Sequence, residues 1–154
     1  MNSRLIFVCL ISIGLLASGC DKSPALVAVQ KSSEAKGHQS KLMALAEKGD
    51  VQAQVDLGDL FRKGQEVAKD LRKAMEWYQK AAALGNAQAQ ANLGEIYEEG
   101  EGVAKDVATA IEWYQKAAAQ GNAFGLLKLG ECYRYGSGVK EDTAKAFEIG
   151  RAHV

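Results

Sequence analysis

Two consecutive stretches of this chain decide its fold. Residues 50–85 read DVQAQVDLGDLFRKGQEVAKDLRKAMEWYQKAAALG, and residues 86–121 read NAQAQANLGEIYEEGEGVAKDVATAIEWYQKAAAQG. Aligned without gaps, 20 of the 36 positions are identical. A third copy starts at Asn122 and keeps Leu129-Gly130 in register. Self-similarity at a fixed period of this size is typical of a solenoid, in which each unit buries its apolar face against its neighbours.

The first half of each unit, which we name helix A, has apolar or small residues at helical spacing. These positions are Ala53, Leu57, Leu60 and Phe61, then Ala89, Leu93, Ile96 and Tyr97, then Gly125, Leu129, Cys132 and Tyr133. Gly58, Gly94 and Gly130 recur in mid-helix, where glycine costs about 1 kcal/mol relative to alanine. A cost repeated in this way predicts that a neighbouring helix approaches closely. Cys132 aligns with core positions, which predicts a buried structural thiol.

The second half, helix B, follows a glycine-containing turn and an aspartate that can cap the helix N-terminus. The predicted caps are Asp70, Asp106 and Asp142. The predicted buried positions are Ala74, Trp77, Tyr78, Ala81 and Ala82, with Ala110, Trp113, Tyr114, Ala117 and Ala118 as counterparts. Because the Trp-Tyr pair recurs at the same repeat position, we interpret it as packing between helices and not as a ligand site.

The pattern LGxxYxxGxGVxKDxxxAxxWYxKAAxxG resembles the Sel1-like repeat, a relative of the tetratricopeptide repeat. The second copy carries this pattern in full, from Leu93-Gly94 to Gly121. The resemblance covers residues 50–148 and implies an all-α fold, an α-solenoid of antiparallel helix pairs. It also implies use as a protein-protein interaction scaffold. We divide this part into repeat 1 at residues 50–85, repeat 2 at 86–121 and an incomplete repeat 3 at 122–148.

The N-terminus has the features of an exported bacterial lipoprotein. Residues 5–16 form an apolar run that is too short to cross about 30 Å of hydrocarbon comfortably, so residues 1–19 are predicted to be a signal peptide. The segment Leu16-Ala17-Ser18-Gly19-Cys20 resembles a lipobox, which implies lipidation of Cys20 and a lipid-anchored protein facing the periplasm. Asp21 resembles a signal for retention in the inner membrane.

Two further segments flank the repeats. Residues 20–40 have no sustained periodicity, and we interpret them as the lipid anchor and a tether. Residues 41–49 (KLMALAEKG) match the end of helix B and are predicted to form an N-terminal capping helix.

The last six residues, Ile-Gly-Arg-Ala-His-Val at 149–154, depart from the repeat where Trp-Tyr is expected. Our hypothesis is that this tail is not native. A common sequencing adapter encodes the same six residues as ATC GGA AGA GCA CAC GTC, followed by the stop codon TGA. On this hypothesis the natural gene continues through Trp-Tyr.

The sequence provides no support for an active site. The two histidines, His38 and His153, both lie outside the repeats, so neither a Ser-His-Asp site nor a zinc pattern is supported. The 19 basic and 19 acidic residues balance, which gives no indication of nucleic-acid binding. We therefore predict no enzyme activity, no cofactor, no metal site and no small-molecule substrate.

The outward positions of helix A vary between copies and are the predicted partner-binding residues. They are Gln52, Asp56, Asp59, Arg62, Gln88, Asn92, Glu95, Glu98, Phe124, Lys128, Glu131 and Tyr135. The acidic middle repeat favours a partner with a basic segment. The predicted function is a membrane-anchored interaction scaffold for another envelope protein. Two alternatives remain at this stage: a β-lactamase or penicillin-binding type of cell-wall enzyme, and a toxin-immunity lipoprotein.

Overall fold

The computed structural model describes residues 37–64 and 67–151, and every regular element in this part is a helix. Helix α1 covers residues 37–47. Six helices follow in A–B order: α2 (Val51–Lys63), α3 (Leu71–Ala83), α4 (Ala87–Glu99), α5 (Val107–Ala119), α6 (Ala123–Tyr135) and α7 (Thr143–Arg151). Each of these six helices packs against its neighbours along the chain, which confirms the prediction of an all-α solenoid of helix pairs.

Helix α1 lies where a preceding helix B would lie. The Gln54 side chain on α2 donates a hydrogen bond from Nε2 to the Ala46 carbonyl oxygen over 3.1 Å, as Gln90 on α4 does to Ala82 on α3 over 3.4 Å. Ala46 is buried in the core. Residues 37–40, expected in the tether, are already helical. Helix α1 therefore covers the first apolar face of the stack.

Side-chain caps set the start of every repeat helix from α2 to α7. Each capping oxygen accepts a hydrogen bond from the backbone N–H three residues later, which satisfies a group that the helix leaves unpaired. For the A helices the caps are Asp50, Asn86 and Asn122, at 2.8–2.9 Å. For the B helices they are Asp70, Asp106 and Asp142, at 2.9–3.1 Å, which confirms the predicted caps.

The mid-helix glycines are sites of very close contact within repeats 1 and 2. A Cβ atom added to Gly58 would lie 2.4 Å from the Tyr78 ring, and one added to Gly94 would lie 2.5 Å from the Tyr114 ring. Both tyrosines are completely buried. The predicted close approach is confirmed at these two positions, where it explains why glycine is present despite its cost in a helix. At Gly130 the prediction is wrong, because the nearest atom of another helix to an added Cβ would be 3.8 Å away.

The core consists of small, aliphatic and aromatic side chains from helices α1 to α6, including the Cys132 thiol, which is buried as predicted. Two positions on α5 differ from the prediction: Trp113 and Ala118 are only partly buried. Trp113 still packs against the core, and the Lys116 Nζ atom lies 4.1 Å from its ring centroid. Among the described residues, no helix has both the length and the apolarity needed to cross a membrane.

Candidate protein-interaction face

Helices α2, α4 and α6 lie side by side and are joined by side-chain contacts. Arg62 on α2 pairs with Glu95 on α4, and Lys128 on α6 pairs with Glu98 on α4. We name the twelve predicted partner-binding residues on these three helices the A face. Eleven of the twelve recur at the same four positions of helix A, and Tyr135 lies one position after the fourth.

The structure divides the A face into three groups. The exposed residues are Gln52, Asp56, Gln88, Glu131 and Tyr135. The partly buried residues are Asp59, Arg62, Glu95, Glu98, Phe124 and Lys128. Asn92 is buried, so its prediction as an outward position is wrong. Its side chain lies between α2 and α4, where the amide nitrogen donates a hydrogen bond to Asp59 and the amide oxygen accepts one from Gln88.

In the first repeat, a buried tyrosine hydroxyl organises the polar contacts. Tyr78 donates to Asp59 Oδ1 over 2.7 Å, and Asn92 Nδ2 donates to the same oxygen over 3.3 Å. Burial, together with the neighbouring Asp59 carboxylate, raises the pKa of Tyr78, so the hydroxyl stays protonated and acts as a donor. Asp59 is therefore held by the fold and is only partly accessible to a partner.

The second repeat uses a different carboxylate for the same purpose. Tyr114 donates to Glu98 Oε2 over 2.6 Å, and Lys128 Nζ lies 3.1 Å from the same oxygen. Burial by itself would raise the pKa of Glu98, but the hydrogen bonds from Tyr114 and Lys128 lower it overall. Glu98 is thus a charged group whose partners come from within its repeat and from the next one.

Arg62 is the centre of the contact between repeats 1 and 2. Its guanidinium donates to Glu95 through one Nη atom and to Glu101 Oε2 through Nε, the latter over 2.7 Å. Its other Nη atom lies 3.7 Å from Glu99, whose side chain is 50% exposed. Although burial opposes the charged form, the two hydrogen-bonded carboxylates raise the pKa of Arg62 above its usual value. Much of the acidic character of the middle repeat is therefore neutralised inside the protein.

The hydroxyl contacts of Tyr78 and Tyr114 are a functional feature that sequence reasoning missed. Both tyrosines are predicted to be apolar packing, whereas each fixes a carboxylate on the A face. The spacing gives no signal for these contacts, since Asp59 lies one residue after Gly58 whereas Glu98 lies four residues after Gly94.

The chemistry of this face is that of polar recognition. Within residues 37–64 and 67–151, no group of three or more His, Cys, Asp or Glu side chains is arranged to hold a metal ion. Burial raises the pKa of the Cys132 thiol, which keeps it in its unreactive protonated form. The exposed groups are amides, carboxylates and one phenol, which suit hydrogen bonds and charge pairs with another protein.

Comparison with solved structures shows several close matches. One is a protective antigen, c5321, from uropathogenic Escherichia coli strains, described as displaying an SLR fold, with 38% identity and a TM-score of 0.70 over 73% of this chain. Another is a Sel1 repeat protein from Oxalobacter formigenes, with 31% identity and a TM-score of 0.73 over 77% of this chain. This chain covers 24% of the first protein and 49% of the second.

Cysteine rich protein B of Helicobacter pylori has a TM-score of 0.60 over 75% of this chain and 87% of its own length. At 24% identity, this likeness shows the fold alone. No curated protein matches the chain. The Sel1 repeat family matches at residues 51–86, 87–122 and 123–149, one residue later than the predicted repeats at their starts, and no catalytic family accompanies it. The chain belongs to the Sel1 repeat family, and its fold is that of a protein-interaction scaffold.

Proposed function

We propose that this Sel1 repeat protein is a lipid-anchored scaffold that binds another protein of the bacterial cell envelope through the exposed residues of its A face. The observation that carries the proposal is the continuous match to an interaction repeat over residues 51–149. The solenoid presents α2, α4 and α6 as one surface, and five of the twelve predicted residues on it are exposed. A partner therefore meets side chains from all three repeats at once.

The anchor is the lipidated Cys20. Both this residue and the apolar leader lie outside the described residues, and their sequence supports the proposal through its resemblance to a lipobox. Several acyl chains on one cysteine give lasting membrane attachment, which a single short chain does not. Asp21 favours retention in the inner membrane, with the repeats in the periplasm.

The anchor is tested by metabolic labelling of the full chain with an alkyne-tagged fatty acid, followed by fractionation of the cells. We expect label and membrane attachment in the parent and in Cys9→Ser, and loss of both in Cys20→Ser. Unlabelled parent protein, or a Cys20→Ser variant that is labelled and attached as strongly as the parent, would show that Cys20 is not the anchor.

The partner surface is tested by crosslinking in native membranes with the full chain. We compare two double variants that change the charge by the same amount. One is Asp56→Lys with Glu131→Lys, which alters exposed residues of the A face; the other is Glu76→Lys with Glu112→Lys, which alters exposed residues of α3 and α5. All four side chains are exposed, so both variants should fold.

We expect the A-face variant to lose at least about tenfold of the crosslinked partner and the B-helix variant to retain it. The partner's contact segment should be basic, because the two exposed charged residues of the A face, Asp56 and Glu131, are acidic. Equal recovery of the partner in both variants would refute the A face as the binding surface.

A further inference from the structure

A groove of about 870 Å³ lies between α6 and α7. Its lining includes Leu127, Tyr135 and Phe147, which are 59%, 68% and 69% exposed. Helix α7 has no buried residue, whereas α3 has six and α5 has four. The third helix pair is therefore packed less completely than the two pairs before it.

The repeat register identifies what is absent from this groove. Position 150 corresponds to Tyr78 and Tyr114, and it is occupied by glycine. A Cβ atom added to Gly130 would meet nothing closer than 3.8 Å, although the same addition at the two equivalent glycines would strike a tyrosine ring at 2.4 and 2.5 Å. Gly130 therefore destabilises its helix relative to alanine, although no aromatic ring packs against it.

A polar partner for the absent ring is also in place. Tyr78 donates to Asp59, which lies 19 positions before it, and Tyr114 donates to Glu98, which lies 16 positions before it. Counted back from position 150, these offsets lead to Glu131 and Arg134, and both residues line the groove. Glu131 is the carboxylate that corresponds to Asp59, and a hydroxyl on a residue at position 150 would be within its reach.

We infer that this groove is the socket for a tyrosine at position 150, preceded by tryptophan at position 149, and that Ile149-Gly150 is not the pair native to this fold. The occupant is thus a side chain of the protein itself, in continuity with the contacts that already join α2 to α3 and α4 to α5. Two residues of the groove's apolar lining, Leu127 and Phe147, lie at positions that are buried in the first two repeats, where they are Val55, Ala91, Met75 and Ile111.

Thermal unfolding of the full chain in detergent, followed by circular dichroism, tests the socket. We expect Ile149→Trp with Gly150→Tyr to raise the Tm by about 5 °C or more, because the ring fills a void over Gly130. The matched control is Glu148→Tyr, which adds the same side chain at an exposed position of α7 and should change the Tm by less than about 2 °C. A Tm that does not rise in the double variant, or rises equally in the control, overturns the inference.

A second measurement separates filling of the socket from a general gain in helix stability. Gly130→Ala should raise the Tm of the parent, where its Cβ has room. Added to the double variant Ile149→Trp with Gly150→Tyr, the same change should lower the Tm, because the Cβ would strike the new ring. An effect of equal size and sign in both backgrounds contradicts the inference. Genomic DNA of the source organism that encodes Ile-Gly at positions 149–150 contradicts it too, whereas Trp-Tyr codons support it.

Discussion

Replacement of Gly94 by alanine should destabilise the protein, although the same change in most helices is stabilising. The new Cβ would lie 2.5 Å from Tyr114 Cε1, so the ring would have to move by roughly 1 Å to reach an ordinary carbon–carbon contact. Tyr114 is fully buried, and its hydroxyl donates to Glu98 over 2.6 Å. Displacement of the Tyr114 ring would therefore both strain the core and weaken that hydrogen bond.

The magnitude follows from three contributions to the free energy of unfolding. Overpacking a core costs about 1–3 kcal/mol. A hydrogen bond to a charged group contributes about 1.5–3 kcal/mol. The gain from alanine over glycine in a helix is about 1 kcal/mol and offsets only part of the loss. We expect Gly94→Ala to lower the free energy of unfolding by roughly 3 kcal/mol.

Urea unfolding followed by circular dichroism measures this change. With an m value of about 1.5 kcal/mol/M, the midpoint of Gly94→Ala should fall by about 2 M. Gly130→Ala is the matched control, since no atom other than those of its own helix lies within 3.8 Å of the added Cβ, and its midpoint should not fall. If the midpoint of Gly94→Ala is at or above that of the parent, the Tyr114 ring does not require glycine at position 94.

Three further predictions concern the charged groups and the buried thiol. The folded-state pKa of Glu98 is lowered, so its hydrogen bonds stabilise the protein above the ordinary glutamate pKa, and this stabilisation is lost as the pH falls through the folded value. Glu98→Gln should therefore have a flatter dependence of Tm on pH between about 7 and 3 than the parent, and parallel curves would contradict this. Arg62→Met should lower the free energy of unfolding in urea by about 1.5–3 kcal/mol, because it leaves Glu95 and Glu101 without their partner. The adjacent Lys63→Met, which breaks only an exposed pair with Asp59, should cost about 0.5 kcal/mol or less, and equal losses would argue against a special role for Arg62. Cys132 should react with a thiol reagent only at the rate of unfolding in the native protein, as followed by mass spectrometry, and fast labelling would contradict its burial.

The fold could be predicted from the sequence because the repeat supplies several copies of each signal. A single mid-helix glycine such as Gly94 is ambiguous, but its recurrence at Gly58 indicates a shared packing constraint, and the structure supplies the ring that imposes it. The capping aspartates are short-range features, set by residues three apart. Such local signals can be recognised in a single sequence without knowledge of the tertiary structure.

The candidate site was less predictable, because its geometry depends on side chains that meet across helices. Helical spacing placed Asn92 on the outward side, yet its amide is drawn inward by Asp59, 33 positions earlier in the chain. Likewise, nothing in the local sequence shows that Tyr114 selects Glu98 while Tyr78 selects Asp59. Long polar side chains choose among several partners within reach, and periodicity does not determine that choice.

The pairing of Arg62 with Glu95 limits how this array can grow. In the second repeat, the position of Arg62 is occupied by Glu98. In the third repeat the position of Glu95 is occupied by Glu131, and the Lys128 Nζ atom lies 3.1 Å from Glu98 and 3.9 Å from Glu131. If the second repeat were duplicated in tandem, the copy would have asparagine at the position of Lys128, and two carboxylates would meet without a cation between them. Two adjacent copies of the second repeat would therefore repel each other at this contact. Lengthening the array by copying this unit would require a cation near these two carboxylates, as Lys128 provides between repeats 2 and 3.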